Sequence, residues 1–320
     1  MARFLLTRLV QSLAVLVLMS VAIYGLIGLM PGDPIDLALS ADPELTPSDI
    51  ERLRALYGLD KPWLERYGAW ALQAIQGNFG YSRLFAAPVL EALAEPLGRT
   101  ALLMGMSFLI GVAIGIPAGM AAGARPHSRL DYVVNLLCFA GVAMPAFWLA
   151  LLMILLFSVT LQWFPASAVS LDPGIGAQLY HLALPALTLG LLQAGGIARY
   201  MRAAIRDALS ADHIRTARSK GRSELGVLWG HALRNAMIPV ISILALDVGA
   251  LFSGALIIEM MFGYPGMGKL LFDAVMGNDY NLALVALLFA TAVTLAANLL
   301  ADIAYAAIDP RVSFTRLAEA

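Results

Sequence analysis

An all-α, polytopic membrane fold is what this sequence predicts, and three observations carry the prediction. Of the 320 residues, 60% are hydrophobic and 13% are charged, whereas a soluble domain carries about 25% charge. The mean hydropathy is +0.78. The apolar residues gather in six long runs, and a helix needs about 20 such residues to cross a bilayer.

The runs cover residues 9–29, 100–124, 132–160, 182–205, 237–262 and 282–308. Lipid offers no hydrogen bonds to an open backbone, so each run is expected to be a helix. The fourth is the most diluted, by Gln193, Gly195 and Gly196. Pro117, Pro145 and Pro185 fall inside the second, third and fourth runs and predict kinks there. The first run is longer than a signal-peptide core, and no small-x-small cleavage site stands out before Pro31, so it reads as an uncleaved anchor.

Basic residues set the orientation, because cytoplasmic loops are enriched in Lys and Arg. With the N-terminus in the cytoplasm, 14 of the 21 Lys and Arg residues fall on that side: the N-terminus, the turn at Arg125 and Arg129, the stretch from Arg199 to Arg234, and the C-terminus. Both termini are therefore expected in the cytoplasm. The net charge of −1 points to no polyanionic partner such as nucleic acid.

The expected layout is residues 1–30 as N-terminus and first span, 31–98 as a periplasmic segment, 99–310 as a five-helix core, and 311–320 as a cytoplasmic tail. The external segment holds ten acids, five bases and many aromatics, too aromatic for a disordered linker. Thr46, Pro47 and Asp49 form a helix start, and Gly58 can end that helix. A second helix is expected over 62–77, with Trp63, Tyr67, Trp70 and Ala74 on one face. Two roles fit the segment: a cap on the membrane surface, or a docking platform for a solute-delivering protein.

The loop over 207–236 is too long for a simple helix–helix turn. Ile214, Ala217, Gly221, Leu225 and Leu228 share one helical face with small residues in its middle, and Arg215, Arg218, Lys220 and Arg222 occupy other faces. This pattern fits a helix in a partner's groove. It also fits a basic segment on anionic lipid.

Several motifs along the chain, in order, resemble one family. Thr216-Ala217-Arg218-Ser219-Lys220-Gly221, followed by His231-Ala232-Leu233-Arg234-Asn235-Ala236-Met237-Ile238-Pro239, is similar to the coupling loop of ABC importer permeases of the dipeptide/oligopeptide/nickel group. Pro31-Gly32-Asp33-Pro34, Tyr57-Gly58-Leu59-Asp60-Lys61-Pro62 and Gly77-Asn78-Phe79-Gly80-Tyr81-Ser82 resemble its external motifs. Glu259-Met260-Met261-Phe262-Gly263-Tyr264-Pro265-Gly266-Met267-Gly268 resembles the close of its fifth span, and Asp302, Tyr305 and Asp309-Pro310-Arg311 the end of its sixth. The chain departs from the wider superfamily in having Thr216-Ala217-Arg218 where Glu-Ala-Ala is usual, and Ser219 where Ala is common.

The resemblance implies a type I ABC importer permease fold with an external segment between the first two helices. It implies an inner-membrane subunit, the first of two paired permeases. Its partners would be a second homologous permease, two ATPase subunits that carry ATP and Mg, and a periplasmic or lipid-anchored binding protein delivering a peptide-like solute. No cofactor is expected on this chain, which lacks a Gly-x-x-x-x-Gly-Lys-Ser/Thr phosphate loop. Coupling to the ATPases is expected at Ile214, Thr216, Ala217, Arg218, Lys220, Gly221, Glu224 and Leu225, and the translocation path or gate at Asp247, Gln193 and Glu259. Acids within spans are costly and point to function. For Glu259 the expected partner is the turn at 262–268, and Asp302 is expected to pair with Arg311.

Two other classes were weighed. A secondary transporter uncoupled from ATP would show repeat symmetry between halves, and none is evident. An intramembrane hydrolase would need a nucleophile and base at matching depth. The four histidines are scattered, and the lone Cys138 reads as a small buried hydrophobe.

Overall fold

The computed structural model describes residues 2–29, 46, 49, 51–52 and 60–308, with the side chains at 2–5, 242, 245–254, 301 and 304–308 outside that description. The motif at 31–34, the first half of the one at 57–62, and the one at 309–311 therefore lie outside the described residues.

Every expected apolar run is helical. Helix α1 is Ala2–Ile27 and α2 is Trp63–Ile75; the strands β1 (Tyr81–Ser82) and β2 (Ala87–Pro88) follow. Next come α3 (Val89–Ala124), α4 (Arg129–Ala143) and α5 (Ala146–Met153), the last running into a π-helical turn at Ile154–Thr160. The chain continues through α6 (Ile175–Ser210), α7 (Asp212–Ser219) and α8 (Glu224–Val227). A second π turn at Leu228–Ala232 leads into α9 (Leu233–Phe262), then α10 (Met267–Met276) and α11 (Tyr280–Ile308).

Among the described residues, four helical stretches are long and apolar enough to cross a membrane: Leu6–Ile27, Val89–Ala124, Ile175–Ser210 and Tyr280–Leu300. The count reaches six if each of two bent pairs is one span: Arg129–Ala143 with Ala146–Thr160, bent by 111°, and Ala255–Phe262 with Met267–Met276, bent by 75°. The third run was expected as one kinked helix, and the break is sharper than a kink. Met144, preceding Pro145, is held extended at φ −82 and ψ 125, because a residue before proline is excluded from the helical region. Pro145 then opens a new helix as its N-cap.

The chain divides into two compact units: Met1–Arg8, Leu97–Lys269 and Val293–Ala320 in one, and Leu9–Pro96 with Leu270–Ala292 in the other. In the first, α3 and α6 are packed backbone to backbone. Gly111, Gly115, Gly119 and Gly123 recur every fourth residue along α3. A Cβ at Gly115 would meet Ile197 at 2.7 Å, one at Gly123 would meet the Arg202 carbonyl at 2.7 Å, and one at Gly119 would overlap the Ala198 carbonyl. Only small residues allow helices this close, which is how membrane helices gain packing where lipid supplies no hydrophobic drive. In the same unit Asp302 pairs with Arg8 at 3.1 Å, rather than with the expected Arg311, which lies outside the described residues.

In the second unit, α2 lays its aromatic face on α1. Tyr24 meets Tyr67 edge-on at 5.5 Å and Trp70 at 5.8 Å, and the Ser20 and Tyr67 hydroxyls hydrogen-bond at 2.8 Å. Thr46 and Asp49 form a reciprocal capping box: the Thr46 N–H donates to Asp49 Oδ2 (3.1 Å) and the Asp49 N–H to Thr46 Oγ1 (3.3 Å); most of the helix expected to follow lies outside the described residues. The β1–β2 hairpin, not foreseen from the sequence, is clipped to the turn before α11. Asp279 Oδ2 accepts from Ser82 Oγ (2.7 Å) and the Leu84 N–H (3.0 Å), while Oδ1 accepts from the Leu282 N–H (3.2 Å). Arg83 donates to the Gly277 carbonyl.

Candidate functional site

The loop after α6 is built as a short helix hung on the core by its apolar side. In α7, Ile214 is 0% and Ala217 7% exposed, packed with Met201, Ile205, Val227, Ala232 and Ala236. The sequence placed Ile214 and Ala217 on a face offered to a partner; that face is instead turned onto the chain's own helices. What α7 presents outward is polar: Arg215, Thr216, Arg218, Ser219 and Lys220 are all exposed.

The expected continuous helix from Ile214 to Leu228 is broken at Gly221. Its φ of +76 lies in the left-handed region, where a glycine ends a helix without steric cost. The Gly221 N–H donates to the Arg218 carbonyl (2.9 Å) and the Arg222 N–H to the Ala217 carbonyl (3.3 Å), the paired bonds of a Schellman ending. Ser223 then caps α8, its Oγ accepting from the Gly226 N–H at 3.2 Å. Arg218 spans the break with a bidentate pair to Glu224, at 2.9 and 3.0 Å. The guanidinium holds the Glu224 carboxyl below its ordinary range. His213 and Asn235 meet across the loop at 3.1 Å.

The helix leaving this loop keeps its register through the second π turn. The buried positions are Val227, Ala232, Ala236, Val240 and Leu244, spaced five and then four apart. The five-residue step falls on the π turn, where the Leu233 N–H reaches the Leu228 carbonyl. A π turn adds one residue without rotating the buried stripe off the core.

Glu259, in the last turn of α9, is bonded as expected to the residues that follow that helix. Fully buried, it accepts hydrogen bonds from the Gly268 N–H (2.7 Å), the Lys269 N–H (3.2 Å) and the Thr100 hydroxyl. Thr100 Oγ1 also accepts from the Met267 N–H at 2.8 Å, and the Tyr264 hydroxyl donates to the Arg99 carbonyl at 3.0 Å. One carboxylate thus fastens α3, at Thr100, to the first residues of α10. Gln193 lies on α6 against Gly111. Its Nε2 donates to the Leu189 carbonyl at 3.3 Å, and its buried Oε1 has no partner among the described residues. Asp247 lies on α9, with its side chain outside the described residues.

One polar centre escaped the sequence. Asp131, 2% exposed, receives both the Nε and a terminal nitrogen of Arg202, the latter at 2.9 Å, together with Asn135 Nδ2 (2.9 Å) and the His127 N–H (3.0 Å). It ties the N-terminus of α4 to α6. Ser128 caps the same helix end, and that cap was the only local signal.

Bent and close-packed helices, long and apolar enough to cross a bilayer, describe a multi-pass membrane protein. Residues 115–314 match the family described as the inner membrane component of binding-protein-dependent transport systems, and residues 1–92 match the N-terminal region of such components. The chain belongs to that family. It is 41% identical over 319 residues to a protein of Brucella suis biovar 1 named as a peptide permease, covering 98% of this chain and 100% of that one. It is 36% identical over 318 residues to the oligopeptide transport system permease protein AppB of Bacillus subtilis, with 98% and 100% covered. It is also 36% identical over 315 residues to the glutathione transport system permease protein GsiC of Escherichia coli, with the same coverage. The crystal structure of an amino acid ABC transporter superposes with a TM-score of 0.51 at 15% identity, covering 66% of this chain and 91% of that one. That likeness shows the fold, an ABC-transporter permease.

Proposed function

We propose that the chain is the permease through which an ATP-driven importer passes peptides or related small solutes. In this reading a binding protein delivers the solute on the outer face, over the segment 31–98. A second permease completes the pathway, and two ATPase subunits with ATP and Mg bind at the cytoplasmic face. Both termini lie in the cytoplasm, as the distribution of basic residues supports. The names of the relatives support a peptide-like solute.

The observation that carries the reading is α7. Its apolar side is anchored in the core, and its polar side is exposed. A push on Thr216, Arg218 or Lys220 is therefore passed to Ile214 and Ala217, and from them to α6 and α9. Nucleotide can drive the cycle only if its binding favours one permease state over the other; α7 is where that bias enters. Gly221 frees the helix end, and the Arg218–Glu224 pair braces it. Gln193 and Asp247 are assigned to the translocation path, and Glu259 to holding the outer turn.

Uptake of labelled oligopeptides tests the reading. In proteoliposomes holding the whole complex, uptake is expected to require the binding protein and internal ATP, and to persist with an uncoupler. Uptake that stops with the uncoupler and continues with ATPase-dead partners would refute it.

A further inference from the structure

The segment that returns from α7 to the membrane carries a second, exposed stripe. Leu225 is 70% exposed, Trp229 58%, Ile238 37%, and Arg234 is exposed between the last two. Their spacing is four, five and four. The five-residue step again crosses the π turn, so the exposed stripe stays in register just as the buried one does. Leu225 and Trp229 therefore face the same side as Ile238 on the span that follows. One side of a continuous helical run is taken to meet one environment, and Ile238 lies in the apolar run over 237–262, which is read as a membrane span.

We propose that Leu225 and Trp229 anchor this return segment in the cytoplasmic-side headgroup region of the bilayer, so that the loop has two separate contacts: α7 to a protein and the return segment to lipid. This rests on the membrane-permease assignment; the identity of the protein on α7 is a separate matter. An indole suits the boundary, with an apolar ring and one N–H to hydrogen-bond. Trp229 stands nine residues before Ile238, about 13 Å along the helix axis, a distance that spans from lipid tails to headgroups. Arg222 precedes the stripe and Arg234 lies within it, both exposed, placing cations where anionic headgroups lie. The π turn serves this arrangement: without it Trp229 would rotate off the lipid side. Leu225, expected from the sequence to join the docking face, is assigned here to lipid.

Photo-crosslinking in the assembled complex in nanodiscs containing anionic phospholipid tests the proposal. p-Benzoylphenylalanine replaces Trp229 in one variant, Leu225 in a second and Lys220 in a third. The expected products are phospholipid adducts at 229 and 225, identified by mass, and a protein adduct at 220. Protein adducts at 229 and 225, or no lipid adduct at either, overturn the anchor. A lipid adduct at 220 instead of a protein adduct counts against α7 as a docking helix and leaves the anchor standing. The two readings therefore fail separately.

Discussion

Asp131 shows how a single side chain can hold two membrane helices. Its carboxylate is met by two Arg202 nitrogens, an amide and a backbone N–H, so its lone pairs are satisfied away from water. Removing one member strands the other, and breaking such a buried pair costs about 3 kcal/mol or more. Asp131→Ala is therefore expected to lower the thermal midpoint of the purified complex clearly. Asp131→Leu with Arg202→Leu should recover much of that loss, as differential scanning fluorimetry would show. The Arg218–Glu224 pair is exposed and behaves differently. The folded Glu224 carboxyl titrates below its unfolded value, so the brace is fully present above the ordinary glutamate pKa of about 4.3. It is lost as pH falls through the lower, folded value. Hydrogen exchange across 218–224 should therefore be unaffected by this group at neutral pH and rise only in acid. Faster exchange on going from pH 8 to pH 6 would contradict the pair.

The elements were legible where the cause is local. Apolar runs gave the helices, Thr46 with Asp49 gave a cap, and the aromatic spacing of α2 gave the face it lays on α1. Pro145 gave a kink, and the structure bends there by 111°, sharper than a kink. Contacts between residues far apart were not legible. Asp131 and Arg202, or Ser82 and Asp279, carry no mark of each other in sequence. In the loop over 207–236 the spacing shows an apolar helical face, but neither the break at Gly221 nor the direction in which that face turns. Periodicity shows that a face is apolar; it cannot show whether the chain's own core or a partner will cover it. The glycines of α3 were visible at four-residue spacing and mark its contact with α6. Gly119→Ala forces a methyl onto the Ala198 carbonyl, and overpacking of this kind costs about 1–3 kcal/mol; a matching loss of thermal stability is expected. Gly196→Ala, with nothing within 4 Å of its Cβ, should cost no stability by the same assay. At Gly221 the strain is in the backbone. Gly221→Ala is expected to lose about 1 kcal/mol through its left-handed φ and to loosen α7 locally, read as faster amide exchange at 214–221.

For the whole molecule, the proposed function needs a force applied at α7 to reach the helices packed beneath it. Glu259 fastens the turn after α9, small residues lock α3 to α6, and α7 is an exposed helix seated directly on that core. The most direct measurement is a cross-link from α7 in a working complex. With Cys138→Ala removing the only native cysteine, Thr216→Cys carrying a short bifunctional reagent should capture an ATPase subunit and stop uptake, with release restoring it. Efficient uptake by a fully labelled Thr216→Cys complex from which no ATPase is ever captured would contradict the account.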